Sequence, residues 1–145
     1  MASENPPKSL QSEDFQKPKI IFQEIVQESQ FFMDSDGIYF CNDTCRIIVG
    51  DNLYHLLGIM NSELFFYSVK RFYGGGSLGE SGVRMKHTFF ENFPCIPISD
   101  SISGLAQSLM IEYSEDTHRH LNDMISQAYS LTDDEKSFIQ IVLNQ

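Results

Sequence analysis

A chain of 145 residues, 41% hydrophobic and 12% aromatic, has the size and composition of one globular domain with a core of its own. No apolar run approaches the roughly 18 residues needed to cross a bilayer, which excludes a helical membrane span. A net charge of −10 weighs against nucleic-acid binding by the chain as a whole, since phosphates attract Lys and Arg.

In chain order, residues 1–18 are rich in Pro, Ser, Glu and Gln and are expected to form a flexible N-terminal linker, leaving 19–145 as the domain. They carry no signal-peptide pattern, so the expected location is cytoplasmic, with no membrane partner. The three cysteines, Cys41, Cys45 and Cys95, lack the spacing of a disulfide framework and are expected to be reduced thiols. Asn5-Pro6-Pro7 matches the start of the Asn-Pro-Pro-Tyr motif of adenine-N6 methyltransferases, but Lys8 stands where the stacking aromatic is needed. The tripeptide is therefore read as a chance match.

Lys19 to Val26 is short, apolar and β-branched, and predicts a strand. Phe31-Phe32-Met33 and Ile38-Tyr39-Phe40 flank Asp34-Ser35-Asp36-Gly37, which predicts a hairpin. The same acids do not make a calcium loop, because Gly37 comes fourth where the loop needs its glycine sixth, and Cys45 stands at the twelfth position where the loop needs its closing glutamate. Cys45 to Val49 predicts a further strand, ended by Gly50-Asp51-Asn52, which also caps the next helix. In that helix Leu53, Leu56, Leu57, Met60, Leu64 and Tyr67 fall on one face. Ile59, Phe65 and Phe66 make the rest apolar as well, so it is expected to be well buried, with a possible break at Asn61-Ser62.

The helix leads into the stretch where the function is expected to lie. From Val69 to His87 the chain holds five of its nine glycines and four of its ten Lys and Arg residues. Lys70 to His87 has a local charge of +3, against −6 from Asp100 to the end. A local field matters more to a partner than the total. Glycine lets backbone come close to a neighbour. Val83-Arg84-Met85-Lys86-His87 alternates apolar with basic, which on a strand puts Arg84 and Lys86 on one face. Phe89 to Pro97 is an aromatic and proline-rich segment, extended near its end. Ser101 to about Ser130 predicts a helix burying Leu105, Leu109, Leu121, Met124, Ile125 and Ala128, with a weak point at Ser114 to Thr117. Thr132-Asp133-Asp134-Glu135 is a capping box that opens a last helix.

No catalytic constellation stands out in the sequence. No nucleophile-elbow pattern frames a serine. Gly74-Gly75-Gly76 lacks the Lys-Ser/Thr of a phosphate loop, and it sits between a helix and a strand in the reverse order of a dinucleotide fold. Cys41, Cys45, His118 and His120 do not have the spacing of a zinc site. Asp133 to Lys136 is explained by the helix cap rather than by a nuclease metal site. The basic glycine stretch remains, and on its residues alone it is either a solvated flexible loop or a DNA contact.

Three segments, Pro18 to Ile25, Phe31 to Ile98 and Tyr129 to Ile139, together resemble the TaqI-like C-terminal specificity domain. The resemblance rests on the order of the Leu56 to Leu64 helix, the basic glycine loop and the Phe93-Pro94-Cys95-Ile96-Pro97 end. It implies the target recognition domain of fused type II restriction-modification enzymes or adenine-N6 DNA methyltransferases. It further implies sequence-specific reading of double-stranded DNA from the major groove. The partner would be a methyltransferase or nuclease domain or subunit, and the cofactor S-adenosylmethionine would belong to that methyltransferase domain and not to this chain. The acidic C-terminal third departs from the family pattern.

The expectation is an α+β fold: a small mixed or antiparallel sheet, a buried central helix and C-terminal helices. No catalytic or metal residues are expected. The expected DNA contacts are Lys70, Arg71, Tyr73, Gly74, Gly75, Gly76, Ser77, Arg84, Lys86 and His87. The alternative is a protein-interaction module whose acidic helices dock onto a methyltransferase or nuclease subunit.

Overall fold

The computed structural model describes residues 12–40, 44–73, 76 and 82–144. The fold is α+β, as expected, and its strands pair antiparallel throughout. Strand β1 (Lys19–Gln23) lies between β3 (Phe31–Asp34) and β4 (Cys45–Ile48) in a three-stranded sheet. Ile20 faces Met33 on one side and Ile48 on the other. A two-stranded sheet joins β2 (Ile25–Val26) to β5 (Val83–Arg84), with Ile25 opposite Arg84. The single strand expected over Lys19 to Val26 is thus two strands in two sheets. The chain turns at Glu24, whose amide donates to the Thr44 carbonyl and whose carbonyl accepts from the Met85 amide.

Helices α1 (Leu53–Met60) and α2 (Glu63–Arg71) replace the one helix suggested by the apolar face. The break falls at Asn61-Ser62, where the Ser62 hydroxyl accepts the Phe65 amide as an N-cap. Asn61 is used differently. Its side chain exchanges two hydrogen bonds with the Phe31 backbone, at 2.9 and 2.8 Å, and so caps the outer edge of β3. Asn52 does sit before α1, but in a left-handed conformation and without a side-chain cap bond.

Helix α1 is the buried centre. Leu53, Leu57, Ile59 and Met60 are buried, and the helix packs against α4 (Asp100–Ile111) and against β1 and β3. The long C-terminal helix expected from Ser101 to Ser130 is two, α4 and α5 (Glu115–Ala128), and Ser114 caps the second. Leu109, Leu121 and Ile125 are buried as expected, whereas Ala128 is exposed. Helix α6 (Asp133–Leu143) begins with both hydrogen bonds of its capping box in place. Between β5 and α4 lies a short helix, α3 (His87–Phe90).

The polar lead-in is not all linker. Residues Ser12–Gln16 form a 3-10 helix, and Asp14 is buried. Composition misses this because the attachment is made by a few specific groups. Lys19 is fully buried, ion-paired to Asp34, and donates to the Phe15 carbonyl at 2.7 Å. Phe15 stacks on Phe40 at 5.4 Å. Gly37 adopts φ +66, and an added Cβ there would collide with the Gln16 carbonyl, so the turn and the 3-10 helix require glycine at their junction. Asn5 to Lys8 lie outside the described residues.

The turn at Ser35-Asp36 forms, but Ile38 to Phe40 is not the expected return strand. Asp34 accounts for this. Its carboxylate accepts the amides of Ile38 (3.2 Å) and Tyr39 (2.9 Å), which directs their N–H groups to a side chain instead of a ladder.

Cys45 is disulfide-bonded, which corrects the expectation of a thiol at that position. Cysteine parity and spacing do not show which sulfurs the fold brings together. Cys95 is free and exposed, and Cys41 lies outside the described residues. Among the described residues no helix is long and apolar enough to cross a membrane.

Candidate nucleic-acid interface

Two neighbouring elements carry three of the basic residues expected to form the site, Lys70, Arg71 and Arg84. Lys70 and Arg71 occupy the last turn of α2, where positive charge is favoured by the helix dipole. Arg84 lies on β5, and α2 packs against β5. The expected alternation holds from Val83 to Lys86: Val83 and Met85 are buried, Arg84 and Lys86 half-buried. The strand itself ends at Arg84. Lys86 is extended at the N-terminal boundary of α3, and His87 is exposed as the first residue of that helix. Gly74, Gly75 and Ser77 lie outside the described residues.

Pairing sets three of these cations apart. Lys17, Lys19, Arg46, Arg119 and Lys136 each bind a carboxylate, namely Asp14, Asp34, Glu24, Asp116 and Asp123. Among the described residues, Lys70, Arg71 and Arg84 are paired with none. An acidic protein has committed five other described cations to internal carboxylates and kept these three on adjoining elements. Their field is available to an anionic partner.

Two of the expected contact residues also make close contacts within the fold. Tyr73 is half-buried, with its ring edge-on to Phe93 at 6.5 Å. Phe93 in turn packs against Phe65 at 5.2 Å and Tyr129 at 5.3 Å. The Tyr129 hydroxyl donates to the Pro94 carbonyl at 2.6 Å. Burial, with smaller contributions from Cys95 and Tyr73, pushes the Tyr129 phenol up to about 12. This aromatic cluster ties the segment after the basic stretch to the end of α5. At Gly76 the close approach is to the chain itself: an added Cβ would fall inside contact distance of the Lys70 carbonyl oxygen. Gly76→Ala is therefore expected to force backbone apart and to cost about 1–3 kcal/mol, as overpacking does, measured by urea unfolding.

Phe72 was not singled out by the sequence, although it stands between Arg71 and Tyr73. It is 70% exposed at the C-terminal boundary of α2.

A groove of about 500 Å³ opens elsewhere, between β1, β3 and the α4–α5 junction. Phe31, Phe32, Asn61, Met110, Tyr113 and His118 are among its walls, and none of the expected DNA contacts is. His118 is engaged there by the Asn61 carbonyl at 3.1 Å. Among the described residues no three His, Cys, Asp or Glu side chains converge as a metal set.

A family model matches residues 2–95, the TaqI-like C-terminal specificity domain. The match spans the sheets, α1, α2 and the whole basic stretch, and it stops before α4. No curated protein matches the chain. Membership in this family supports a DNA-recognition role in restriction-modification enzymes, alongside a catalytic module. The family model covers more than half of the sequence, and the chain belongs to the TaqI-like C-terminal specificity domain family.

Proposed function

We propose that this chain is a sequence-specific reader of double-stranded DNA within a restriction-modification system, and that it does no catalysis by itself. The observation that carries this reading is the set of unpaired cations, Lys70, Arg71 and Arg84, on α2 and β5, in a protein whose other described cations are ion-paired or, for Lys86, half-buried beside them. Guanidinium and ammonium groups suit phosphates and guanine edges, and Arg is the side chain that reads guanine bidentately. Lys86 and His87 extend the same surface. The methyltransferase or nuclease module would be a separate domain or subunit, and any S-adenosylmethionine would be held there, in the cytoplasm.

The test is a titration of labelled duplex DNA against the full chain over a range of salt. Binding is expected to weaken linearly in log–log form, with each phosphate contact contributing about −0.9 to the slope. Binding that ignores salt, or no binding at low salt, contradicts the reading.

A docking role for the acidic helices is the second reading. Phe138 (55% exposed) and Ile141 (61%) on α6 favour it, since they leave apolar surface on a helix beyond the family match. Under that reading the isolated chain retains a protein subunit but not DNA.

A further inference from the structure

Phe72 is an aromatic side chain held out at the end of a basic helix. Its amide is fixed by a 2.8 Å hydrogen bond to the Ser68 carbonyl, so the residue is the structured end of α2 and not part of a loose loop. The next residue, Tyr73, is anchored in the aromatic cluster through Phe93. The ring of Phe72 is braced from behind: Tyr67 meets it edge-on at 5.9 Å, and Phe138 meets Tyr67 at 6.3 Å. Even so, 70% of the residue faces solvent. A single exposed apolar residue needs no explanation. This one is braced, it directly follows two cations, Lys70 and Arg71, that are unpaired among the described residues, and it adjoins the site proposed above. Cations draw in phosphates but carry no sequence information through them. A rigid apolar ring beside them supplies what they lack, contact with a base through a thymine methyl group or a base face.

We infer that Phe72 is a specificity-determining residue that makes an apolar contact to a DNA base, while Lys70 and Arg71 hold the backbone alongside. This rests on the DNA-binding reading. The experiment compares the full chain with Phe72→Ala on two probes, the duplex that the unaltered chain selects from a random pool and an unselected duplex. The expected result is a loss of roughly 5- to 150-fold on the selected duplex, the range of one good base contact. Binding to the unselected duplex and the salt slope should stay unchanged, because no phosphate contact has been removed. An equal loss on both probes would show that the ring only supports the helix end, and no loss on either would show that it faces solvent. Both results overturn the inference while leaving DNA binding intact. Failure of the unaltered chain to bind either probe would instead overturn the DNA-binding reading, and the inference with it.

Discussion

Asp34→Ala is expected to destabilise the protein by about 3–5 kcal/mol, the cost of breaking a buried ion pair from one side. Asp34 and Lys19 are both buried and paired with each other across β1 and β3. The carboxylate also accepts the amides of Ile38 and Tyr39, and Lys19 also donates to the Phe15 carbonyl. Truncating Asp34 therefore leaves a buried ammonium without a counter-charge and frees two donors. It also loosens the 3-10 helix and the turn that this pair holds together. Against a total of about 5–15 kcal/mol for a domain, the loss would be large. The double variant Lys19→Met/Asp34→Asn removes both charges and keeps an amide oxygen for the two backbone donors. It should therefore be more stable than Asp34→Ala. Urea unfolding of both variants checks this, and a double variant no better than Asp34→Ala would show that the pair is not what stabilises the corner.

The same group sets a pH dependence. Burial raises the Asp34 carboxyl pKa, but the Lys19 hydrogen bond, the Tyr39 and Ile38 amides and the Lys19 charge outweigh it and hold the group below its ordinary value. The unfolded chain then binds the proton more readily than the folded one. The contribution of Asp34 to stability is thus complete above an ordinary aspartate pKa of about 3.9, and it is lost as pH falls through the lower folded value. Unfolding curves between pH 7 and pH 2 should show this loss at the acid end, and it should be absent in Lys19→Met/Asp34→Asn.

Replacing Lys70, Arg71, Arg84 and Lys86 together with Ala is expected to abolish DNA binding at physiological salt. It should also reduce the slope of log affinity against log salt by up to about 4, one for each phosphate contact removed. The change takes the net charge from −10 to −14, because four cations are lost. A control is needed for that global term. Arg119→Ala/Lys136→Ala removes two cations that are already paired on α5 and α6, with Asp116 and Asp123. If the field is local, the control leaves the slope unchanged and the fourfold variant does not. Equal effects per charge removed would mean that net charge, and not the α2–β5 surface, governs binding.

Much of this fold is written locally. Ser62 and Thr132 are cap residues in sequence and caps in the structure, because a hydroxyl can accept an amide left free in the first helical turn, and Ser114 caps α5 where the sequence showed only a weak point in the helical pattern. What was not legible depends on contacts far apart in sequence. The run Lys19 to Val26 reads as one strand, and only the Thr44 and Met85 bonds at Glu24 divide it between two sheets. The return arm after Gly37 has strand composition, but Asp34 takes its amides. Ser12 to Gln16 reads as linker because nothing nearby announces that Lys19 will donate to Phe15 or that Gln16 will pack on Gly37.

The site divides in the same way. The stretch from Lys70 to His87 was visible as a cluster of glycines and charges, and the family model covers it. Which charges are available was not visible. That depends on Lys17, Lys19, Arg46, Arg119 and Lys136 each finding a carboxylate, three of them between 13 and 22 residues away, at separations that sequence spacing does not reveal. Tyr73 was expected as a contact residue because it lies among cations, and its half-buried ring also meets Phe93 within the fold, a contact that sequence spacing does not reveal. Phe72 is the aromatic residue of that pair that remains exposed.

The measurement that bears most directly on DNA recognition is selection from a pool of random duplexes by the full chain, at low and at physiological salt, with sequencing of what is retained. A recovered consensus, lost when Lys70, Arg71, Arg84 and Lys86 are replaced, is the predicted result. Retention of DNA without a consensus would contradict sequence reading by this chain, and no retention at either salt would contradict DNA binding altogether.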